Sequence, residues 1–355
     1  MSQEIRFTPA ATLKPKPNES NLGFGKLFTD YMFTMVYDRQ NGWHNPEIRP
    51  YAPFSLDPAT MVLHYAQEIF EGLKAYRTPD GSVQLFRPLD NFKRLNMSCE
   101  RLCIPPIDEA FALHALKELL RIEQAWVPSA PDTTLYIRPA IIATDPFLGV
   151  RAADTYLFFI ILSPSGAYYA QGMAPVGIYV EDQYVRAVRG GFGYTKTGGN
   201  YAASILAGDV AKHKGYAQVL WLDGVEQRYV EEVGSMNMFF KVGGKLITPA
   251  LNGSILPGIT RDSVMRLAKE LNVPVEEKKI DVYELFEAGL RGEIEEAFGT
   301  GTAAVVSPVG TLRLGDRELA IADGGIGPLS QKLYDTLTGI QFGRLPDPCG
   351  WIEKV

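Results

Sequence analysis

The chain has 355 residues, 46% hydrophobic and 21% charged, a length and balance that suit a globular protein of two domains with sizeable cores. A net charge of −6 without any Lys/Arg cluster argues against a nucleic-acid partner. Three cysteines, Cys99, Cys103 and Cys349, are too few and too irregularly spaced for a disulfide framework or a zinc site, and they point to a reducing, cytoplasmic compartment.

The N-terminal stretch "MSQEIRFTPAATLKPKPNESNLGFG" has no apolar signal core and reads as an extended, proline-punctuated arm. "EGLKAYRTPDGSVQLFRP" predicts two strands around a Pro79-Asp80-Gly81 turn. In "PLDNFKRLNMSCERLCIPP", Phe92, Leu95, Cys99 and Leu102 fall on one helical face, and Pro105-Pro106 stop the helix. Cys99 and Cys103, four apart, are then expected to face the core. "DEAFALHALKELLRIEQAW" predicts a longer amphipathic helix, and "TTLYIRPAIIAT" and "TYLFFIILSP" predict strands. The run "YLFFIIL" is far too short for a membrane helix.

The Ser/Gly/Ala/Pro-rich segment 163–175 marks a connection between domains, which places a first domain at 1–164, a loop at 165–177 and a second domain at 178–355. Beyond it, "VGIYVED" and "AQVLWLD" predict strands. "NYAASILAGDVAKHKG" predicts one helix with Asn200 as N-cap and Gly215 as stop. "MNMFFKVGGKLITP" predicts a hairpin around Gly243-Gly244. "TRDSVMRLAKELN" predicts a helix from about Thr260, and "GPLSQKLYDTLTGIQFG" a C-terminal one.

The segment "GGFGYTKTGGNYAAS", 190–204, surrounds Lys196 with five glycines. A lysine in such a loop is commonly just solvated. Two phosphate-loop motifs fail here: Thr195 precedes Lys196 where the Walker pattern needs glycine, and Lys196 itself stands where G-x-G-x-x-G needs its third glycine. The remaining chemistry is a Schiff-base lysine, with glycines that let a flat aldehyde cofactor approach the backbone. Pyridoxal phosphate would further need a carboxylate for its pyridine nitrogen and N–H donors with an arginine for its phosphate. Glu231 and Glu232 in "YVEEVGSMN" are carboxylate candidates; on a strand they face opposite sides, so one points inward. As surface acids they would do nothing. "LPGITRDSV" puts Gly258, Ile259 and Thr260 at a helix start, and "FGTGTAAVV" puts Gly299–Ala303 in a turn of small and hydroxyl residues. Arg94 is a candidate clamp, or a solvated helix residue.

The ordered set "FGKLFTD", "HYAQEIFEGLKAY", "LFRPLDNFKRL", "TLYIRP", "GAYYAQG", "TKTGGNYAAS", "QVLWLDG", "EVGSMN", "LPGITR" and "FGTGTA" resembles the branched-chain amino acid aminotransferases, fold-type IV pyridoxal phosphate enzymes. The resemblance runs from about Gly23 to the C-terminus. It implies an α/β fold with a smaller N-terminal domain and a larger C-terminal open pseudo-barrel domain. It also implies pyridoxal 5′-phosphate as cofactor and ping-pong transfer of the amino group of leucine, isoleucine or valine to 2-oxoglutarate. By it, Lys196 would hold the cofactor and move the proton. Tyr201 would bond the phenolic oxygen, and Glu232 the ring nitrogen, with Glu231 facing away. Arg94, the N–H groups of Ile259 and Thr260, and Thr302 would bind the phosphate. Ser235 and Ala303 would face the substrate α-carboxylate. Phe24, Phe70 and Tyr136, with Tyr65, Leu148 and Val150 from a partner subunit, would line the pocket, and Arg138 would serve the distal carboxylate of glutamate. A homodimer or higher homo-oligomer follows, with no nucleic-acid or membrane partner. Ala304 and Ser307 stand where animal relatives carry a Cys-x-x-Cys pair, which removes that thiol switch; Thr197 replaces a larger apolar residue. D-amino acid aminotransferase and aminodeoxychorismate lyase activities are the alternatives on the same cofactor. A cofactor-free nucleotide-binding or scaffold protein is the alternative from another class.

Overall fold

A computed structural model describes residues 4–166 and 173–355. They fall into two compact units: Met1–Tyr168 with Thr195–Gly198 and Gly339–Val355, and Tyr169–Tyr194 with Gly199–Thr338. Residues 167–172 of the expected interdomain loop lie outside the described residues, the tyrosines of "GAYYAQG" among them. The end of the chain, expected with the second domain, joins the first unit.

The first unit carries β1 (Arg6–Phe7), β2 (Tyr31–Asp38), β3 (Gly42–Pro50), β4 (Glu68–Phe70), β5 (Leu73–Arg77), β6 (Val83–Phe86), β7 (Thr134–Ala143) and β8 (Thr155–Ser165). Its helices are α1 (Met61–Tyr65), α2 (Pro88–Arg101) and α3 (Glu109–Ile122). One sheet runs β1-β3-β2-β8-β7-β5-β6 and ends on the C-terminal strand Ile352–Lys354, with β4 also beside β7. In β8, Tyr156, Phe158, Ile160 and Leu162 are buried while Thr155, Leu157, Phe159 and Ile161 are half-buried, the period of two that makes this run a strand. Pro88 opens α2 at its first position, and Phe92, Leu95 and Cys99 bury one face of it, as their spacing predicts. The helix ends at Arg101. Cys103 lies past it in a left-handed turn (φ 53°) and is exposed, so the expectation that it faces the core is corrected. Asp108 caps α3 by accepting the Phe111 N–H at 2.9 Å, and Ala112, Ala115, Leu116 and Leu119 then form its buried stripe.

β4 and β5 run along β7 in one register, Phe70 opposite Ala140 and Leu73 opposite Ile137. They are interrupted at Glu71-Gly72, where the facing strand offers Pro139, a residue without an N–H to donate. Alternation then puts Glu68, Phe70 and Gly72 on one side of the sheet with Tyr136 and Arg138, and Glu71 on the side covered by α2.

The second unit contains β9 (Val176–Glu181), β10 (Gln218–Leu222), β11 (Val230–Val233), β12 (Met236–Val242), β13 (Lys245–Pro249), β14 (Val275–Lys278), β15 (Ile294–Gly301), β16 (Val305–Leu314) and β17 (Arg317–Ala320). Its sheet runs β11-β10-β9-β16-β15-β12 and then, through the β11–β12 pairing, back to its start; this ring is the barrel, and β13, β14 and β17 extend it. Its apolar cluster includes Ile178, Leu220, Met238, Phe240 and Phe286. Helices α4 (Gly198–Ala202), α5 (Ile205–His213), α6 (Ile259–Glu270), α7 (Val282–Leu290) and α8 (Pro328–Gln341) complete the described helices. Gly243 and Gly244, both with positive φ (55° and 74°), form the predicted hairpin turn between β12 and β13. The helix predicted over 200–215 is two helices, broken where Ser204 turns its hydroxyl onto the Tyr201 carbonyl at 2.7 Å. Asn200 is therefore not an N-cap; it sits inside α4, its Nδ2 donating to the Phe192 carbonyl at 3.0 Å. No helix among the described residues is long and apolar enough to cross a membrane.

Candidate active site

In the first unit the peptide of Lys196 is held on both sides. Its N–H donates to Ser98 Oγ at 3.0 Å, and its carbonyl accepts the Phe70 N–H at 3.0 Å. Ser98 is fully buried on α2, and Phe70 ends β4, so two rigid elements fix the loop. Lys196 Nζ stands 5.1 Å from the Phe70 ring centroid. Behind it, Glu71 accepts Arg94 Nε at 2.7 Å, Arg94 Nη2 at 2.9 Å and Asn91 Nδ2 at 2.8 Å. Burial alone would raise the Glu71 pKa. The Arg94 guanidinium, then the Lys196 charge and Asn91, outweigh it and hold the carboxyl below its usual range. Arg94, 8% exposed, is thus no solvated helix residue.

On the other side of the same strands, the Arg138 guanidinium lies 4.5 Å over the Phe70 ring, and its Nη2 donates to Tyr136 Oη at 3.1 Å. Its Nε is buried with no hydrogen-bond partner. Tyr136 meets Phe24 edge to face at 4.9 Å. Gly72 permits this arrangement: a Cβ there would stand 2.2 Å from Tyr136 Oη. Tyr65 donates its hydroxyl to the Leu148 carbonyl, and Leu148 and Val150 are 61% and 85% exposed.

In the second unit, Glu232 on β11 accepts the Leu256 N–H at 2.9 Å and lies 3.0 Å from Arg186 Nε and 3.4 Å from Asn237 Nδ2. Glu231 points to the opposite side but is equally buried, covered by Asn252 and by the Ser254 hydroxyl, which donates to it. Burial raises its pKa. Neither acid is a surface residue. Ser235 stands exposed in the two-residue turn from β11 to β12, where Gly234 takes φ 57°. Pairing of β12 with β15 brings that turn to the same barrel end as Thr302 and Ala303, since Asn237 faces Thr300. Gly299 and Gly301 belong to β15, so the turn expected over 299–303 begins only at Thr302. Gly258 precedes α6, and a Cβ on it would fall 1.9 Å from Asn237 Oδ1, which brings the helix start with Ile259 and Thr260 to the strand that flanks Glu232. Tyr201 lies on α4, five residues after Lys196.

The structure thus groups Lys196, Arg94, Phe70, Tyr136, Arg138 and Phe24 in one unit, and Glu232, Ser235, Ile259, Thr260, Thr302 and Ala303 at one barrel end in the other. Glu71, Ser98, Gly72, Glu68 and Arg186 have no place in the set read from sequence. Of these, Glu68, Glu71 and Gly72 sit inside a quoted motif, "HYAQEIFEGLKAY"; Ser98 and Arg186 carry no local signal.

The model for class IV amino-transferases matches residues 68–312. Branched-chain-amino-acid transaminase 1 of Bacillus subtilis (strain 168) is 56% identical over 356 residues, covering 100% of both chains. Among solved structures, the branched-chain amino acid aminotransferase of Escherichia coli aligns with TM-score 0.77 at 27% identity, over 91% of this chain and 98% of its own. That of Thermobaculum terrenum, solved in its PLP form, aligns with TM-score 0.75 at 25% identity, over 92% and 98%. The chain belongs to the class IV aminotransferases, with the fold-type IV architecture. Within that family it is a branched-chain amino acid transaminase, an enzyme whose substrates are amino acids and 2-oxo acids.

Proposed function

We propose that this transaminase passes the amino group of L-leucine, L-isoleucine or L-valine to 2-oxoglutarate in a ping-pong cycle on pyridoxal 5′-phosphate. Each unit carries donors of the kind that group needs: an amine at Lys196 and an arginine at position 94 in the first, and a buried carboxylate at Glu232 and a glycine-opened helix start before Ile259 in the second. When bound, the cofactor supplies an aldehyde for the amino group and an electron sink for the Cα electrons. Lys196 takes the proton from the substrate Cα and returns it in the reverse half-reaction. Glu232 pairs with the ring nitrogen and Tyr201 with the phenolic oxygen. Arg94 holds the phosphate with the N–H groups of Ile259 and Thr260 and the Thr302 hydroxyl. Ser235 and the Ala303 N–H orient the α-carboxylate.

Phe24, Phe70 and Tyr136 receive the side chain of the amino acid. One observation carries the pairing of substrates: the Arg138 cation lies on that aromatic surface with a buried, unfilled Nε. Such a site accepts an isobutyl group on its rings and a distal carboxylate on its guanidinium. Single-turnover mixing of the cofactor-loaded enzyme tests this. L-leucine and L-glutamate should each release one equivalent of 2-oxo acid, and D-alanine and aminodeoxychorismate none. A panel in which glutamate yields no 2-oxoglutarate would overturn the pairing.

The proposed enzyme is a homodimer. Leu63, Tyr65, Phe147, Leu148 and Val150 together expose an apolar cluster, which supports contact with a second copy that receives Tyr65, Leu148 and Val150 into its pocket. A Leu148→Asp/Val150→Asp double variant should run as a monomer in light scattering and lose most activity; an active monomer contradicts the assignment. Three free cysteines support a cytoplasmic location, which cell fractionation checks.

A further inference from the structure

On the sheet face that carries Phe70 and Arg138, β4 begins with a carboxylate that the proposed mechanism leaves unused. Glu68 lies two residues before Phe70 on the same side of the strand. Its Oε1 accepts the Gly198 N–H, and its carbonyl accepts the Thr197 hydroxyl at 2.7 Å, so it is tied to the segment just after Lys196. Gly198 leaves the room for this, because a Cβ there would fall 2.3 Å from Glu68 Oε1. Burial raises the Glu68 pKa, while the Gly198 N–H and then the Arg138 charge oppose the rise. Glu68 is therefore within electrostatic reach of Arg138, and no hydrogen bond joins them; the guanidinium is held by Tyr136 and the Phe70 ring instead.

This arrangement bears on a problem that any dual-substrate pocket has. An arginine that grips a distal carboxylate in one half-reaction faces an apolar side chain in the other. In the second case its charge lacks a ligand partner in a partly dehydrated place, which disfavours the apolar substrate. A fixed negative group nearby corrects that imbalance. The same group repels a second carboxylate, so it weakens the grip on the dicarboxylic substrate.

We propose that Glu68 is a specificity-determining residue that supplies the counter-charge of Arg138 when a branched aliphatic substrate is bound and limits the affinity for glutamate and 2-oxoglutarate. The proposal rests on the assignment of Arg138 to the distal carboxylate. Glu68 does not touch the reacting atoms; it acts through Arg138.

The test compares kcat/KM for L-leucine and L-glutamate in the wild-type holoenzyme and in Glu68→Gln, Glu68→Ala and Arg138→Gln. Glutamine keeps an acceptor for the Gly198 N–H and removes only the charge. Glu68→Gln should raise kcat/KM for glutamate and lower it for leucine, moving their ratio about tenfold toward glutamate, chiefly through KM. Glu68→Ala also loses the Gly198 contact and should lower kcat for both substrates on top of the same ratio change. Arg138→Gln should lose glutamate activity selectively. If Arg138→Gln is selective and the Glu68→Gln ratio stays within twofold of wild type, Glu68 has only a structural role and the proposal is wrong. If Arg138→Gln lowers both substrates equally, the assignment of Arg138 fails and takes the Glu68 proposal with it.

Discussion

A Lys196→Ala chain should fold and yet lose leucine–2-oxoglutarate transamination by at least about a thousandfold, because one side chain both carries the cofactor and moves the proton. The geometry separates these roles from stability. The loop is anchored by the Lys196 peptide, through Ser98 Oγ and the Phe70 N–H, and neither bond involves the side chain. The side chain stands over the Phe70 ring and pulls on Glu71, contacts worth about 1 kcal/mol or less. Thermal unfolding of the variant should therefore stay within a few degrees of wild type while turnover collapses. Lys196→Arg, which keeps a cation but has no amine able to become neutral at ordinary pH, should be equally inactive. Wild-type turnover of leucine in the Lys196→Ala protein would remove Lys196 from the mechanism altogether.

How far this site could be seen in the sequence depends on how local each part is. Strands and helices with a strong period, such as β8, α2 and α3, lie where their apolar spacing puts them. The hairpin at Gly243-Gly244 follows from two residues that both tolerate positive φ. The region after Lys196 was harder: Asn200 next to glycines looks like an N-cap, but its side chain bonds back to the Phe192 carbonyl and the helix restarts after Ser204. Cys103 looked like the next core residue of a helical stripe, yet the helix stops two residues earlier. The electrostatic frame was not legible at all. Arg94 and Glu71 are 23 residues apart, and Lys196 meets Ser98 across 98 residues. Periodicity carries no information about such pairs, which exist only after β4, α2 and the Lys196 loop have packed. The pair of acids at 231–232 shows the same limit. Alternation separates their sides, but both are buried because the loop with Asn252 and Ser254 folds over one and Arg186 closes on the other.

Removing Glu71 should be the most damaging substitution to the first unit. Its carboxyl is fully buried and accepts two Arg94 donors, one from Asn91 and the Gly72 N–H. A Glu71→Leu change leaves Arg94 as a buried cation without the Glu71 carboxylate and with Lys196 nearby, which costs about 3–5 kcal/mol. That is a large share of the stability of an ordinary domain. Glu71→Leu combined with Arg94→Met removes both charges and should be more stable than Glu71→Leu alone, a coupling that separate loss of two contacts would not produce. Urea unfolding followed by tryptophan fluorescence measures it, and the double variant keeps the test open if the single one does not fold. The pH dependence has a definite sign. The folded-state pKa of Glu71 is depressed below its ordinary 4.5, so the folded state binds fewer protons than the unfolded one in that range. The stabilisation is complete above about pH 4.5 and is lost as pH falls through the folded value. Wild type should accordingly lose stability relative to the double variant on acidification from pH 7 toward pH 3. A difference between the two that stays constant over that range would mean that the Glu71–Arg94 pair contributes nothing through its charge.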